Sequence, residues 1–340
     1  MTSIREISVA LADTVVTNAD LARENPDWDM DRVARRTGVL SRRVAGPAET
    51  ALDLSLTACE ELFADPGAEI GPADVDLLLY CTQSNDYPMP GNAHVLHGLL
   101  GLARGAAAID YNLGCSGYVY GLAIADALAR AGLGSEILLV TSGTYTRYLN
   151  PRDRSTRSVF GDGAAVTRLS AADGAGGRIV AAELCSDGGA LEKVYIPGGG
   201  ARLPHDAPGA RTESVDRSGN VRTPLDMQMD GPAVWSFALS VLPDHLRGFL
   251  AANDIGVADV DLFVFHQASR MVIDSLARAL DLPRERVRMS LEDVGNLSAA
   301  SIPHALRAAL DDGAVTSGSR VVLGALGAGV SWGSVLVEYE

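Results

Sequence analysis

The sequence predicts an α/β fold built from two similar halves, and three observations lead to this prediction. Short apolar runs typical of buried strands alternate with alanine- and leucine-rich stretches typical of helices. The segment GPADVDLLLYCTQS at 71–84 resembles GVADVDLFVFHQAS at 256–269, roughly 185 residues further along the chain. At nearly the same separation, GSEILLV at 134–140 resembles GSRVVLG at 318–324. These matches favour an internal duplication over chance similarity between two alanine- and valine-rich segments.

The elements of the first half follow one another in a regular order. Residues 75–80 (VDLLLY) are predicted to form a buried strand, and residues 136–141 (EILLVT) a second one. Between them, residues 118–131 (YVYGLAIADALARA) have the length and composition of a helix. In the second half, residues 260–265 (VDLFVF) repeat the first strand. Alternation of this kind places helices over the faces of the sheets.

The proposed duplication divides the chain into an N-terminal half, residues 1–170, and a C-terminal half, residues 171–340. Residues 171–177 (AADGAGG) provide a flexible join between them. Equivalent strand ends of two such halves converge on the interface, and functional groups of α/β proteins gather at the carboxyl ends of strands. We therefore expect polar residues that follow these strands to share one cleft, although they are far apart in sequence.

The composition narrows the possible partners. The chain of 340 residues is 47% hydrophobic and 21% charged, with a formal net charge of −15 and a pI near 4.8. Nucleic acid and anionic membranes are therefore excluded as main partners, because both attract basic surfaces. The four cysteines form no CxxC pair, the N-terminus lacks the apolar core of a signal peptide, and no apolar run is long enough to cross a bilayer. We expect a soluble, reduced, cytoplasmic protein.

Cys115 is the first candidate catalytic residue. It lies in DYNLGCSG at 110–117, directly before the predicted helix. A thiol at a helix N-terminus gains from the helix dipole and from unpaired backbone N–H groups, which favour the nucleophilic thiolate. The flanking glycines permit a tight turn and close approach of a substrate. Free cysteines are more often inert and buried, and this is the interpretation adopted for Cys59, Cys81 and Cys185.

His266 and Asn296 are the two other candidates. His266 ends the apolar strand of the second half, in register with Cys81, where it would serve as a general acid–base or an oxyanion donor. Asn296, in VGNLSAASIP at 294–303, is in register with Asn112, near the candidate nucleophile. An isolated histidine on an apolar strand is usually a core residue, and asparagine is a common helix cap. The strand-end position and the shared register favour a catalytic site over these structural roles.

The remaining histidines and the last glycine-rich segment suggest no further site. No ligand spacing relates the other five histidines, so we predict that the chain binds no metal; they are His94, His97, His205, His245 and His304. The segment GALGAGVSWG at 324–333 follows a strand but does not lead into a phosphate-binding helix. We expect the backbone of this segment to approach the active site closely.

Together these motifs resemble those of the β-ketoacyl-acyl-carrier-protein synthase III family, which belongs to the thiolase superfamily. DYNLGCSG, FGDGAA, HQAS, GNLSAAS and the terminal GAGVSWG occur in the family's order and spacing over essentially the whole chain. RRTGVLSRR at 35–43 is also similar to the family's N-terminal motif. The resemblance implies a thiolase-like, duplicated αβαβα layered fold and a homodimer.

The resemblance also implies a role for each catalytic residue. Cys115 would accept the acyl group, while His266 and Asn296 would promote decarboxylation of a malonyl group and steady the enolate. The backbone N–H groups of Cys115 and Ala328 would form the oxyanion hole. The implied reaction is acylation by acyl-CoA, followed by condensation with malonyl-acyl carrier protein. CoA thioester is then the substrate, and no cofactor is expected.

Several positions that contact substrate in the family are distinctive here. Ser269 replaces the asparagine of the usual HQAN motif, which puts one pantetheine hydrogen bond in doubt. Arg32 stands where an aromatic residue commonly stacks on the CoA adenine, whereas Arg36 and Arg154 match arginines that contact its phosphates and adenine. Met89 matches a position where the dimer partner closes the acyl pocket, and a flexible methionine there would admit a chain other than acetyl.

These departures favour a specialised pathway, such as polyketide priming or another secondary-metabolite step, over bulk fatty-acid initiation. Two alternatives stay open: an acyltransferase on the same fold that uses an oxygen or nitrogen acceptor, and a catalytically silent partner subunit. Retention of Asn296 favours condensation over transfer, because simple transfer needs no enolate stabilisation. The intact Cys115 argues against a silent subunit.

Overall fold

The computed structural model describes residues 1–340, and its centre is a nine-stranded mixed sheet. The strands, in chain order, are β1 (Ser3–Leu11), β2 (Thr14–Thr17), β3 (Ser41–Val44), β4 (Leu77–Cys81), β5 (Ala107–Tyr111), β6 (Glu136–Gly143), β7 (Gly163–Ser170), β8 (Gly177–Ser186), β9 (Val194–Tyr195), β10 (Ser214–Val215), β11 (Val221–Arg222), β12 (Gln228–Met229), β13 (Leu262–Phe265), β14 (Arg320–Gly327) and β15 (Ser331–Tyr339). The α-helices are α1 (Asn18–Glu24), α2 (Met30–Thr37), α3 (Ala51–Ala64), α4 (Asn92–Leu99), α5 (Gly117–Arg130), α6 (Arg154–Arg157), α7 (Gly231–Ala252), α8 (Arg270–Ala279) and α9 (Ser301–Asp311).

The strand order of the main sheet, β13-β14-β15-β8-β1-β7-β6-β4-β5, contains the same pattern twice. On one side, β13 and β14 are parallel, while β14, β15 and β8 are antiparallel neighbours. On the other side, β4 and β6 are parallel, while β6, β7 and β1 are antiparallel neighbours. The two patterns meet where β1 pairs with β8, and β5 is added at the edge beside β4. The predicted boundary at residue 170 coincides with the end of β7, and the division into two halves stays a prediction.

The nine-stranded sheet contributes two layers, because the strands on either side of the short β1–β8 pairing pack on opposite sides of one central core. Alternation of side chains along the strands then gives each layer an inner and an outer face. In β4, Leu77 and Leu79 face a central core, whereas Leu78 and Tyr80 face an outer one. The central core contains apolar residues of α5 and α9, one helix from each predicted half. The outer cores contain α3 and α4 on one side and α7 and α8 on the other. This order of helix, sheet, helix, sheet and helix is the αβαβα arrangement, so the predicted fold class is confirmed.

The longest helix, α7, has 22 residues, and its start is fixed locally. The carboxylate of Asp230 accepts a hydrogen bond from the backbone N–H of Ala233 at 2.9 Å. Pro232 occupies the first turn, where no intrahelical N–H is needed. None of the helices is both long and apolar enough to cross a lipid bilayer.

Candidate active site

Three candidate residues from distant parts of the chain line a single cavity of about 880 Å³. Cys115 lies between β5 and α5, and His266 directly follows β13. Asn296 lies in the loop that leads to α9. The fold therefore brings Cys115, His266 and Asn296 together, as the strand-end argument predicted.

The Cys115 thiol lies at the cavity wall, and the residue is partly exposed. Its Sγ lies 3.8 Å from the Oγ of Ser298. Burial raises the pKa of the Cys115 thiol to about 11, and the contact with Ser298 only partly offsets this effect. The helix-dipole argument favoured a lowered pKa, whereas burial raises it. Without a ligand, the thiol is therefore protonated at neutral pH.

His266 is held rigidly at the end of β13. Its backbone N–H donates to the carbonyl of Gly324 at 2.8 Å, and its Nδ1 lies 2.7 Å from the Oγ of Ser301. The residue is 6% exposed, and burial lowers the pKa of its imidazole to about 3. The ring is therefore neutral at neutral pH, so one of its nitrogens carries a proton and the other carries a lone pair. Such a ring can accept a proton or donate a hydrogen bond, depending on its tautomer.

The side chain of Asn296 is oriented by its own loop. Its Oδ1 accepts a hydrogen bond from the backbone N–H of Ser298 at 2.8 Å. This bond assigns the amide oxygen, so the Nδ2 group is the donor that remains for a substrate. The preceding Gly295 has a φ of 76°, and a Cβ there would lie 2.7 Å from the carbonyl oxygen of Val159. Only glycine fits this turn without strain.

The backbone N–H groups of Cys115 and Ala328 are the predicted oxyanion hole, and that role stays a prediction. Both residues line the cavity, and neither N–H donates to another group of the protein. The end of β14 packs directly against the nucleophile turn, because a Cβ at Gly327 would lie 2.8 Å from the backbone nitrogen of Ser116. The hydroxyls of Ser116 and Ser331 are 2.7 Å apart and link the two loops. Two unpaired donors beside a nucleophile can stabilise a tetrahedral oxyanion.

Of the four residues predicted to bind substrate, two line the cavity and two lie outside its lining. Arg36 and Ser269 line the cavity. The hydroxyl of Ser269 caps α8 by accepting from the backbone N–H of Val272 at 3.3 Å. Arg154 begins α6 outside the cavity lining, and Met89 is 79% exposed on the surface. Their contacts with a ligand or a second subunit stay predictions.

Sequence reasoning missed a polar chain beside the nucleophile. The hydroxyl of Tyr145 donates to the Oε1 of Gln83 at 2.8 Å, and the Nε2 of Gln83 donates to the Oδ1 of Asn112 at 2.9 Å. All three residues line the cavity with Cys115. Gln83 and Tyr145 each lie two residues beyond the end of a parallel strand, β4 and β6. The strand-end argument used for His266 therefore also applied to them.

The rest of the cavity wall is mainly apolar. Of its 40 lining residues, 25 are hydrophobic, which suits an acyl chain. Trp235 and Phe237 come from α7 and Met271 from α8. Arg36 and Lys193 are the basic residues of the lining, and no carboxylate lines it. The cavity can thus receive an anionic ligand although the chain carries a net charge of −15.

Comparison with known proteins agrees with this geometry. The family model for 3-oxoacyl-[acyl-carrier-protein] synthase III matches residues 109–188, and that for the C-terminal part of the same enzyme matches residues 250–339. The β-ketoacyl-[acyl-carrier-protein] synthase III of Brucella abortus is 34% identical over 99% of this chain and 98% of its own length. The chain belongs to the 3-oxoacyl-[acyl-carrier-protein] synthase III family. It is accordingly a ketosynthase-type enzyme, an acyltransferase in the broad sense.

Solved structures support the same family. A 2.1 Å crystal structure of a 3-oxoacyl-(acyl-carrier-protein) synthase III has a TM-score of 0.96 and 37% identity, with 99% of each chain covered. The priming β-ketosynthase of the R1128 polyketide biosynthetic pathway has a TM-score of 0.85 and 27% identity. The match covers 100% of this chain and 96% of that one. The resemblance noted in the motifs is therefore confirmed at the level of the synthase III family.

Proposed function

We propose that the enzyme condenses an acyl-CoA with malonyl-acyl carrier protein, losing CO₂ and forming a β-ketoacyl product. The observation that carries the proposal is the convergence of Cys115, His266 and Asn296 on one apolar cavity. A thiol, a neutral imidazole and an amide donor are the groups that acylation followed by enolate formation requires.

In the first step, the sulfur of Cys115 attacks the thioester carbonyl of acyl-CoA. A C–S bond to Cys115 forms, the C–S bond to CoA breaks, and the thiol proton ends on the departing CoA. The backbone N–H groups of Cys115 and Ala328 would hold the oxyanion of the tetrahedral intermediate. Because the pKa of the resting thiol is about 11, attack requires that its proton leave as the bond forms.

In the second step, malonyl-acyl carrier protein occupies the vacated part of the cavity. The bond to the carboxylate breaks, CO₂ leaves, and the electron pair moves onto the thioester oxygen as an enolate. The Nδ2 group of Asn296 and an Nε2–H of His266 would donate hydrogen bonds to that oxygen. The enolate carbon then attacks the acyl carbonyl, and the C–S bond to Cys115 breaks after the new C–C bond has formed. The sulfur leaves as a thiolate, and uptake of one proton from solvent restores the resting thiol.

The cavity supports an acyl group larger than acetyl. Its volume of about 880 Å³ is near the upper end of the usual range for ligand sites, roughly 300–1,000 Å³. Part of it must hold the pantetheine arm, and the remainder is lined by large apolar side chains such as Met227 and Phe160. Arg36 and Lys193 at the wall suit the phosphate of a CoA or carrier arm.

We also propose that two copies associate through the edge of the main sheet. Strand β5 pairs only with β4, so one of its edges is free. Exposed apolar side chains lie on β5 and on the nearby 87–99 segment: Ile109 is 41% exposed, Leu99 is 54%, and Met89 is 79%. An uncovered strand edge with apolar side chains favours pairing with a second chain. In such a dimer, Met89 would help to close the partner's acyl pocket.

A specialised pathway, such as polyketide priming, is favoured over bulk fatty-acid initiation. The size of the cavity and the residues Ser269 and Arg32 support this assignment. The test is growth of the source strain lacking only this gene, without added fatty acids. Normal growth is expected, and lethality that fatty acids relieve would contradict the assignment.

The proposed acylation is tested by the intact-protein mass after incubation with a panel of acyl-CoAs. We expect one acyl adduct on the wild-type chain, best formed with an acyl group longer than acetyl, and none on Cys115→Ala. Malonyl-acyl carrier protein is then added to the acylated enzyme. Loss of the adduct with formation of a β-ketoacyl-carrier product supports condensation. Transfer to an oxygen or nitrogen acceptor, with no dependence on malonyl-carrier, would support the alternative acyltransferase.

A further inference from the structure

A second cluster of potential ligands lies outside the acyl cavity, between β8 and α7. Glu183 and Cys185 are two residues apart on β8, so both side chains project from the same face of the sheet. His245 reaches this face from α7. None of the three residues lines the acyl cavity. Their convergence is therefore not explained by the condensation reaction.

The three ligand atoms lie at nearly the separations of a zinc site. The Nδ1 of His245 is 3.9 Å from the Sγ of Cys185 and 3.8 Å from the Oε1 of Glu183, and all three atoms are within 4.8 Å of one another. Tetrahedral coordination, with metal–ligand distances of about 2.0–2.3 Å, places the ligand atoms roughly 3.3–3.6 Å apart. To bind an ion in this geometry, the two distances from His245 must shorten by only a few tenths of an ångström. Rotation of the exposed Glu183 side chain can bring its carboxylate closer to the Sγ of Cys185.

The surroundings of His245 leave its Nδ1 free for an ion. Its Nε2 lies 3.1 Å from the Oγ of Ser334, a fully buried residue on β15. An Nε2–H donated to this hydroxyl places the lone pair on Nδ1, toward Cys185 and Glu183. The ring also stacks on Phe249, with 6.4 Å between centroids. The His245 ligand is thus oriented before any ion arrives.

The site combines a fixed inner ligand with an accessible outer one. The His245 side chain is 5% exposed, whereas that of Glu183 is 48% exposed. Solvent therefore reaches the cluster from the Glu183 side. An ion can enter there, and a water molecule can complete a four-ligand shell.

We propose that Glu183, Cys185 and His245 bind a divalent ion of the Zn²⁺ class, with water as the fourth ligand. A thiolate, an imidazole and a carboxylate together suit Zn²⁺ or Co²⁺, whereas Mg²⁺ and Ca²⁺ prefer oxygen ligands alone. The bound ion joins β8 to α7, whose first turns carry Trp235 and Phe237 into the cavity wall. The prediction that the chain binds no metal considered only the spacing of histidines in the sequence. The proposed site contains a single histidine, so that spacing could not reveal it.

The probe for this site is Co²⁺, whose absorption spectrum reports a thiolate ligand. The experiment uses the full chain carrying Cys115→Ala, which removes the catalytic thiol as a competing soft ligand. We expect one equivalent of Co²⁺ to produce a thiolate-to-cobalt charge-transfer band, and Zn²⁺ to displace it. Adding Cys185→Ser should abolish this band, and adding Glu183→Gln should weaken binding by at least about tenfold. Glu192→Gln, at an exposed carboxylate outside the cluster, is the matched control and should bind normally.

Two results would overturn the proposal. One is the lack of stoichiometric Co²⁺ binding, and the other is a thiolate band that survives Cys185→Ser. Glu183→Gln changes only an exposed side chain, so it remains informative if Cys185→Ser fails to fold. Metal binding is measured without substrate, so its outcome is independent of the proposed condensation.

Discussion

Burial sets the resting protonation of Cys115 and His266 at the candidate active site. It raises the pKa of the Cys115 thiol to about 11 and lowers the pKa of the His266 imidazole to about 3. At neutral pH the free enzyme therefore holds a thiol and a neutral imidazole, and not a thiolate–imidazolium pair. An uncharged resting pair costs less to bury in an apolar cavity than an ion pair.

The first prediction concerns the reactivity of this thiol. In the free enzyme, alkylation of Cys115 by iodoacetamide should rise about tenfold per pH unit from about pH 7 to about pH 9, because the thiolate fraction increases until the pH reaches the pKa. Intact-protein mass spectrometry measures the rate, and Cys115→Ala corrects for the other cysteines. A rate that levels off near neutral pH would contradict the assignment, since it would indicate a preformed thiolate.

The second prediction concerns Ser301, whose hydroxyl lies 2.7 Å from the Nδ1 of His266. The same hydroxyl also lies 2.8 Å from the carbonyl oxygen of Ser298, so its one proton can go to either acceptor. When the hydroxyl turns from that carbonyl to Nδ1, the proton of the neutral ring is kept on Nε2, which can then donate to the enolate. We expect Ser301→Ala to lower the rate of condensation by about 10–100-fold while acylation of Cys115 changes by less than about twofold.

Single-turnover measurements on the pre-acylated enzyme separate these two steps. Ser290→Ala is the matched control, because it removes a similar hydroxyl, 2.8 Å from the Nδ1 of His304, outside the cavity lining. Condensation should be unchanged in that control. An equal loss of acylation and condensation in Ser301→Ala would refute the role assigned to Ser301.

At the scale of elements, the ends of the parallel strands carry most of the site. The repeat placed His266 after β13, in register with Cys81 at the end of β4, and this was enough to predict its position. Tyr145 and Gln83 lie beyond strand ends too, but their direction depends on the turns that follow. Those turns are shaped by contacts such as the bond between Tyr145 and Gln83. The position of a residue after a strand does not by itself predict such contacts.

The loop before α9 provides a third prediction. Gly295→Ala should lower the melting temperature, because a left-handed residue with a Cβ costs about 1–2 kcal/mol and the new Cβ would lie 2.7 Å from the oxygen of Val159. The same change should lower condensation, because Asn296 is the next residue. Gly248→Ala, in α7 with open space around it and away from the proposed dimer contact, is the control for thermal unfolding. Equal melting temperatures for the two variants would contradict this account.

At the scale of the whole molecule, residues from both predicted halves line the same cavity. Cys115 comes from the first predicted half, and His266 and Asn296 come from the second. The motifs predicted this arrangement because each followed a strand or preceded a helix. The Glu183–Cys185–His245 cluster was not foreseen, since its members come from a strand and a helix about 60 residues apart. The roles of Met89 and Arg154 were not settled by the fold, because they concern contacts with a second chain and with CoA.

The fourth prediction follows from the free edge of β5. Light scattering during size-exclusion chromatography should give twice the chain mass of 35.5 kDa. Ile109→Glu, which places a charge among apolar side chains at the free edge, should shift the protein toward monomer. Leu133→Glu, at a site that is 60% exposed beyond the end of α5, should leave the mass unchanged. A monomeric wild-type protein would refute the proposed dimer.

The most direct test of the central claim follows the Cys115 adduct after malonyl-acyl carrier protein is added. With the wild-type enzyme, we expect the adduct to disappear as CO₂ and a β-ketoacyl-carrier product form in equal amounts. Asn296→Ala should still acylate but should convert the adduct about 10²–10³-fold more slowly, because one enolate donor is lost. If the wild-type adduct persists with malonyl-carrier, or if Asn296→Ala turns it over at the wild-type rate, the assignment of decarboxylative condensation is wrong.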